Sequence, residues 1–112
     1  MPPRNPHDLL PLPTAWFHIL VALADGERHG YSIMQDIDAR TGGKLRVGPG
    51  TLYAALKRLA GESLVRECED PDGAGERRRV YRITPFGRDV ALAEMKRMEL
   101  LVRQAKTSLR EA

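Results

Sequence analysis

The sequence predicts a mainly α fold with a small β-hairpin: a winged helix-turn-helix body followed by a C-terminal dimerisation helix. Three observations lead there. Apolar residues recur at helical spacing in four separate segments. Two short runs of alternating character, LVRECED and RRRVYRIT, flank the turn-like PDGAGE. The last segment repeats its apolar residues at spacings of four and three, which is a heptad seam. With 112 residues, the chain is expected to form one compact unit with a core large enough to need no metal or disulfide staple.

Residues 1–13 contain Pro2, Pro3, Pro6, Pro11 and Pro13, a density that argues for an extended N-terminal arm rather than a helix. The body spans residues 14–84. In TAWFHILVALADG, Trp16, Ile19, Leu20 and Leu23 share a helical face, with Thr14 as an N-cap and Gly26 just beyond the end. HGYSIMQDIDARTGG repeats the arrangement, with Ile33, Met34 and Ile37 on one stripe and Gly42 or Gly43 closing it.

The third helical segment, GPGTLYAALKRLAGESLV over residues 48–65, carries the functional signal. Leu52, Leu56 and Leu59 lie on one face and must pack inward. The opposite face holds Gly50, Ala54, Lys57 and Gly61, flanked by Thr51, Arg58 and, at the boundary, Tyr53. A surface low in the middle with longer donors around it suits the phosphate walls and base edges of a DNA groove. Pro49 fits the first helical position, and Gly48 before it offers no side-chain oxygen, so the leading N–H groups are open to a phosphate or to water.

In the second wing strand, Tyr81 and Ile83 share one face, and Val80 and Arg82 the other. Arg77, Arg78 and Arg79 are placed to touch flanking DNA backbone, or alternatively to pair with Glu67, Glu69 and Asp70 across the hairpin. Thr84 caps the last helix and Pro85 opens it; residues 85–112 are assigned to dimerisation. Ala91, Met95, Met98, Val102, Ala105 and Leu109 form the seam. A helix of roughly 40 Å outruns the three-helix body, so part of its apolar surface calls for a second copy, the alternative being a helix folded back over its own domain.

Charge supports a polyanionic partner. The total is only +3, but residues 40–66 hold six basic side chains against one acid, residues 77–82 hold four arginines, and residues 67–76 carry five acids and no base. Cys68 is the single cysteine, which excludes an internal disulfide and is compatible with a reducing compartment. No run of about 18 apolar residues and no cleavable signal pattern is present, so a cytoplasmic protein with no membrane partner is expected. There is no phosphate loop and no nucleophile with a positioned base, and an enzyme is not expected. His18, Asp25, His29 and Cys68 match no metal-ligand spacing, leaving a metal-sensing repressor and a protein-binding winged helix as the competing readings, with no cofactor or metal expected. Met95, Met98 and Leu101 are either plain core or the lining of an effector cavity for an unidentified small molecule or protein.

With HGY, then GPGTLY and ALKRL, then VYRIT and PFG in this order and spacing, the chain resembles the PadR family of transcriptional regulators over nearly its whole length. The resemblance implies groove contacts at Thr51, Tyr53, Lys57 and Arg58, beside Gly50, and a supporting helix opened by His29, Gly30 and Tyr31. It implies wing contacts at Arg77, Arg78 and Arg79, a repressor bound as a homodimer to double-stranded DNA, and a short, single-helix C-terminal part. Two departures stand out: Ser63 occupies a position where glycine is usual, and the C-terminal helix has no tryptophan to sandwich an aromatic ligand.

Overall fold

The computed structural model describes residues 4–109; the side chains of Glu76 and Arg77 also lie outside the described residues. Four helices, α1 (Thr14–Ala22), α2 (Gly30–Arg40), α3 (Pro49–Gly61) and α4 (Pro85–Leu109), surround one core. A three-stranded antiparallel sheet flanks them, made of β1 (Arg28–His29), β2 (Val65–Glu69) and β3 (Arg79–Ile83) in the order β1-β3-β2.

The expected stripes all turn inward. Ile19, Leu20 and Leu23 of the α1 region, Ile33 and Ile37 of α2, and Leu52, Leu56 and Leu59 of α3 are buried against one another. Each such side chain contributes about 1.5–3 kcal/mol on leaving water. Trp16 and Met34 pack half-buried at the edge of this cluster.

Several local expectations are corrected. Thr14 lies inside α1, and Pro13 occupies the cap position with no side-chain bond, the Pro13 carbonyl accepting from Trp16 and Phe17 instead. The arm is not extended throughout, because Pro6–Leu9 forms a 3-10 turn capped by the Asn5 side chain. It is also tied down. The Leu12 N–H donates to Glu94 Oε2 at 2.7 Å, and Arg4 donates to the Glu62 carbonyl at 2.8 Å while its guanidinium lies 5.2 Å from the Phe86 ring centre. A third strand joins the hairpin: Arg28 pairs with Tyr81 and His29 with Val80, too short a stretch to show period-two alternation.

Thr84 caps α4 as expected, accepting from the Gly87 N–H at 2.8 Å and donating to the Ser63 carbonyl at 2.6 Å. Gly87 explains why PFG ends in glycine. A Cβ there would sit 2.0 Å from the Leu64 carbonyl oxygen, so only glycine lets α4 start this close to β2. Glu94, four residues after Val90 on the same helix face, is 2% exposed. Burial pushes its carboxyl up, but hydrogen bonds from Arg97 and from the Leu12 amide, with the Arg97 charge, hold it below the usual range.

Candidate nucleic-acid interface

Helix α3 presents the expected outer surface. Gly50, Thr51, Ala54, Lys57, Arg58 and Gly61 are all exposed, and the first turn contains no acid and no side-chain cap. Tyr31, at the start of α2, is 61% exposed. These groups lie on the two helices of the helix-turn-helix, connected by a loop in which Gly42 and Gly43 take the left-handed backbone that closes α2.

Tyr53, Arg58 and His29 also have partners inside the chain. Tyr53 is half-buried, and its hydroxyl end packs where a Cβ on Gly30 would lie, 2.5 Å from the oxygen. Thus Gly30 and Tyr53 fix the approach of α2 to α3. The Arg58 guanidinium lies 5.9 Å from the Trp16 ring centre, a cation-π distance that holds it on the flank of α3 next to α1. His29 Nε2 is 2.9 Å from Asp70 Oδ2.

In the wing, Arg77 and Arg78 belong to a 3-10 turn, Gly75–Arg78, and Arg79 opens β3. The side chain of Arg77 lies outside the described residues, Arg78 is exposed, and Arg79 pairs with Glu67 at 3.3 Å. The pairing with acids foreseen for these arginines therefore occurs for Arg79. Arg82 is taken by Glu27 at 3.0 Å. Local spacing does not point to the contacts of Trp16 with Arg58, Gly30 with Tyr53 or Asp70 with His29, since each joins positions distant in sequence. His18, Asp25, His29 and Cys68 do not converge: among the described residues no group of three or more His, Cys, Asp or Glu is placed to hold a metal ion.

The seam is divided. Ala91 is half-buried against the core, Met98 is half-buried, Met95 is 41% exposed, Val102 51%, Ala105 exposed and Leu109 77%. Every described residue from Glu99 onward is exposed. Among the described residues no helix is long and apolar enough to cross a membrane.

Residues 19–94 match the model of the transcriptional regulator PadR-like family. The chain belongs to this family. A transcriptional regulator of Mycobacterium tuberculosis is 43% identical over 88 residues, covering 78% of each chain. An uncharacterised 37.1 kDa transposon protein of Streptomyces fradiae is 42% identical over 83 residues; the match takes in 74% of this chain but only 22% of that protein's length. Among solved structures, Bacillus subtilis PadR in complex with operator DNA superposes with a TM-score of 0.67 at 22% identity, covering 76% of this chain and 48% of that one. The PadR-like match spans α2, α3, the sheet and the start of α4, the elements that carry the exposed α3 face and the wing.

Proposed function

We propose that this PadR-like regulator is a repressor that binds an inverted-repeat operator as a homodimer, with α3 in the major groove and the wing on flanking phosphates. One observation carries the reading. Gly50 lies in helical backbone and faces open space: apart from its chain neighbours and the backbone of its own helix, no described atom lies within 4 Å of a Cβ built on it. Neither conformation nor packing within the chain requires glycine there, although glycine weakens a helix by up to about 1 kcal/mol relative to alanine. A surface that approaches α3 closely from outside gives that glycine a reason, and the Bacillus subtilis PadR complex supplies the precedent of operator DNA.

Gly50→Ala tests this directly through effects of opposite sign. The free protein should gain a few tenths to about 1 kcal/mol in urea unfolding, while anisotropy with a duplex recovered by binding selection should show weaker binding. Unchanged or tighter binding would remove the argument. Lys57→Ala should lower the salt slope of binding by about one per contact, or about two per dimer. Thr51, Tyr31 and Arg78 supply further donors at this surface, while Tyr53 and Arg58 act from its flanks.

Dimerisation is assigned to Ala91, Met95, Met98, Val102, Ala105 and Leu109, supported by the exposed run beyond Met98. Met98→Glu places an unpaired charge in that contact and should halve the mass measured by light scattering. The protein acts by binding rather than catalysis, in the cytoplasm where DNA is accessible. An effector that repacks Met95 and Met98 would change the spacing of the two α3 helices and release the operator.

A further inference from the structure

His29 and Asp70 sit at the meeting point of the two DNA-facing elements. His29 pairs with Val80 through its backbone and serves as the cap residue of α2, immediately before the Gly30 on which Tyr53 of α3 rests. Asp70 follows β2, the strand separated from β1 by β3. The 2.9 Å bond between His29 Nε2 and Asp70 Oδ2 therefore crosses β3 and joins the two outer strands of the sheet. Both side chains are about one-third exposed, at 35% and 28%.

Asp70 also organises the wing turn. Its Oδ1 accepts from the Asp72 N–H at 3.0 Å, its carbonyl accepts from the Gly73 N–H at 3.0 Å, and its own N–H donates to the Arg78 carbonyl. The first of these is an Asx turn, which fixes the chain direction just after the strand. One carboxylate thus sets the shape of the turn leading to the arginines and attaches that turn to the start of α2.

We propose that His29 and Asp70 form a latch that positions the wing relative to α3, so that wing and recognition helix meet DNA as one rigid unit. His29 is then a positioning residue rather than a phosphate ligand. This rests on the DNA-binding reading above, and it makes a prediction that electrostatics alone reverses. Asp70 is an acid on a DNA-facing wing, so by charge alone its removal strengthens binding. By the latch, its removal frees the wing, ordering it on DNA costs entropy, and binding weakens.

The test is anisotropy titration of the full chain against a duplex recovered by binding selection, across a salt series. Asp70→Ala should bind about three- to tenfold more weakly than the parent, with the salt slope unchanged because no phosphate contact is lost. Asp70→Asn, whose single oxygen can accept from the Asp72 N–H while its amide N–H donates to Nε2 of the His29 tautomer protonated at Nδ1, should restore most of the affinity. His29→Ala combined with Asp70→Ala should cost little more than either alone. Hydrogen exchange on the DNA-free protein reads the latch independently: in His29→Ala the Asp70 and Asp72 amides should exchange faster. Equal or tighter binding by both Asp70 variants overturns the latch, as does unchanged exchange in His29→Ala. If exchange responds as expected but the parent protein binds no duplex, the DNA-binding reading fails instead, and the positioning role on DNA with it.

Discussion

The body and the distal half of α4 are built from the same kind of sequence pattern and end in opposite states. Leu52, Leu56 and Leu59 recur at spacings of four and three and are buried to within about 1% exposure. Met98, Val102, Ala105 and Leu109 recur at spacings of four, three and four, yet Val102 and Leu109 remain more than half exposed. Periodicity establishes that a helix has an apolar face; it does not establish whether the chain itself covers that face. The body closes on itself because α1, α2 and the sheet surround α3. Beyond Met98 every described residue of α4 is exposed, and this is the face that the proposed dimer would cover.

The joint between the two regions should give a large effect. Gly87 lies where α4 leaves the body, and an added methyl would overlap the Leu64 carbonyl oxygen, a backbone atom with nowhere to go. Gly87→Ala should therefore cost about 3 kcal/mol or more in urea unfolding, at the upper end of overpacking penalties, and should disturb the Thr84 bonds to Ser63 and Leu64. A cost below about 1 kcal/mol would show that α4 shifts freely against the body. The two regions would then be coupled less tightly than the contact implies.

A paired truncation sharpens the contrast itself. Leu59→Ala removes a fully buried side chain and should cost about 2–5 kcal/mol at any protein concentration. Leu101→Ala, beside the proposed seam residue Val102, removes a side chain that is 55% exposed in the single chain. Its effect should stay within about 0.5 kcal/mol at low concentration and grow as the concentration rises and populates the proposed dimer. Calorimetry over a concentration series separates the two behaviours. A Leu101→Ala cost that does not depend on concentration would place its partner within the same chain.

What the sequence disclosed follows from the range of the interactions. Helices α1 to α4, the hairpin, the Thr84 cap and the outward face of α3 all depend on residues within a few positions of one another, and pattern reading located them. Strand β1 is two residues long and exists only because β3 lies beside it. The pairings of His29 with Asp70, Tyr53 with Gly30 and Arg58 with Trp16 join positions that periodicity treats as unrelated. His29, which the resemblance places at the opening of the supporting helix, has its imidazole bonded to a carboxylate of the wing, a partner that no local spacing indicates. The arm behaves alike: proline density predicts an extended chain, while its attachment to Glu94 and Glu62 depends on elements far along the sequence.

Acid should loosen the arm at the boundary between the two regions. Glu94 has a folded-state affinity for protons below that of an ordinary glutamate. Its stabilisation is therefore present above the ordinary value, about 4.3, and is lost as pH falls through the lowered folded value. Melting curves from about pH 6 down to about pH 3 should show a loss of stability for the parent that Glu94→Gln lacks in this window. Limited proteolysis over the same range should find the arm cleaved earlier at low pH. If parent and variant lose stability in parallel, the Glu94 contacts with Leu12 and Arg97 contribute nothing to holding the arm.

The smallest effect belongs to Ser63, within the body and away from α4's free face. Its φ of 64° is left-handed, the conformation in which an L side chain crowds its own carbonyl at a cost of about 1–2 kcal/mol. The surrounding bonds show why the residue stays there. Leu64 N–H donates to the Leu59 carbonyl at 2.9 Å and Ser63 N–H to the Ala60 carbonyl at 3.0 Å, the paired closure that commonly ends a helix on glycine. Leu59 and Leu64 are both buried and supply the apolar contact that accompanies this ending. So α3 stops in the same manner it would with glycine, and serine bears the strain. Ser63→Gly should relieve it, offset in part by the greater freedom glycine gives the unfolded chain, for a net gain of about 0.5–1 kcal/mol. The gain should appear in urea unfolding and leave the dimer mass and the salt slope on DNA unchanged, because the substitution touches neither the seam nor the outward face of α3. A loss of stability would mean that the serine side chain makes a compensating contact, and that the end of α3 is held by more than its backbone bonds.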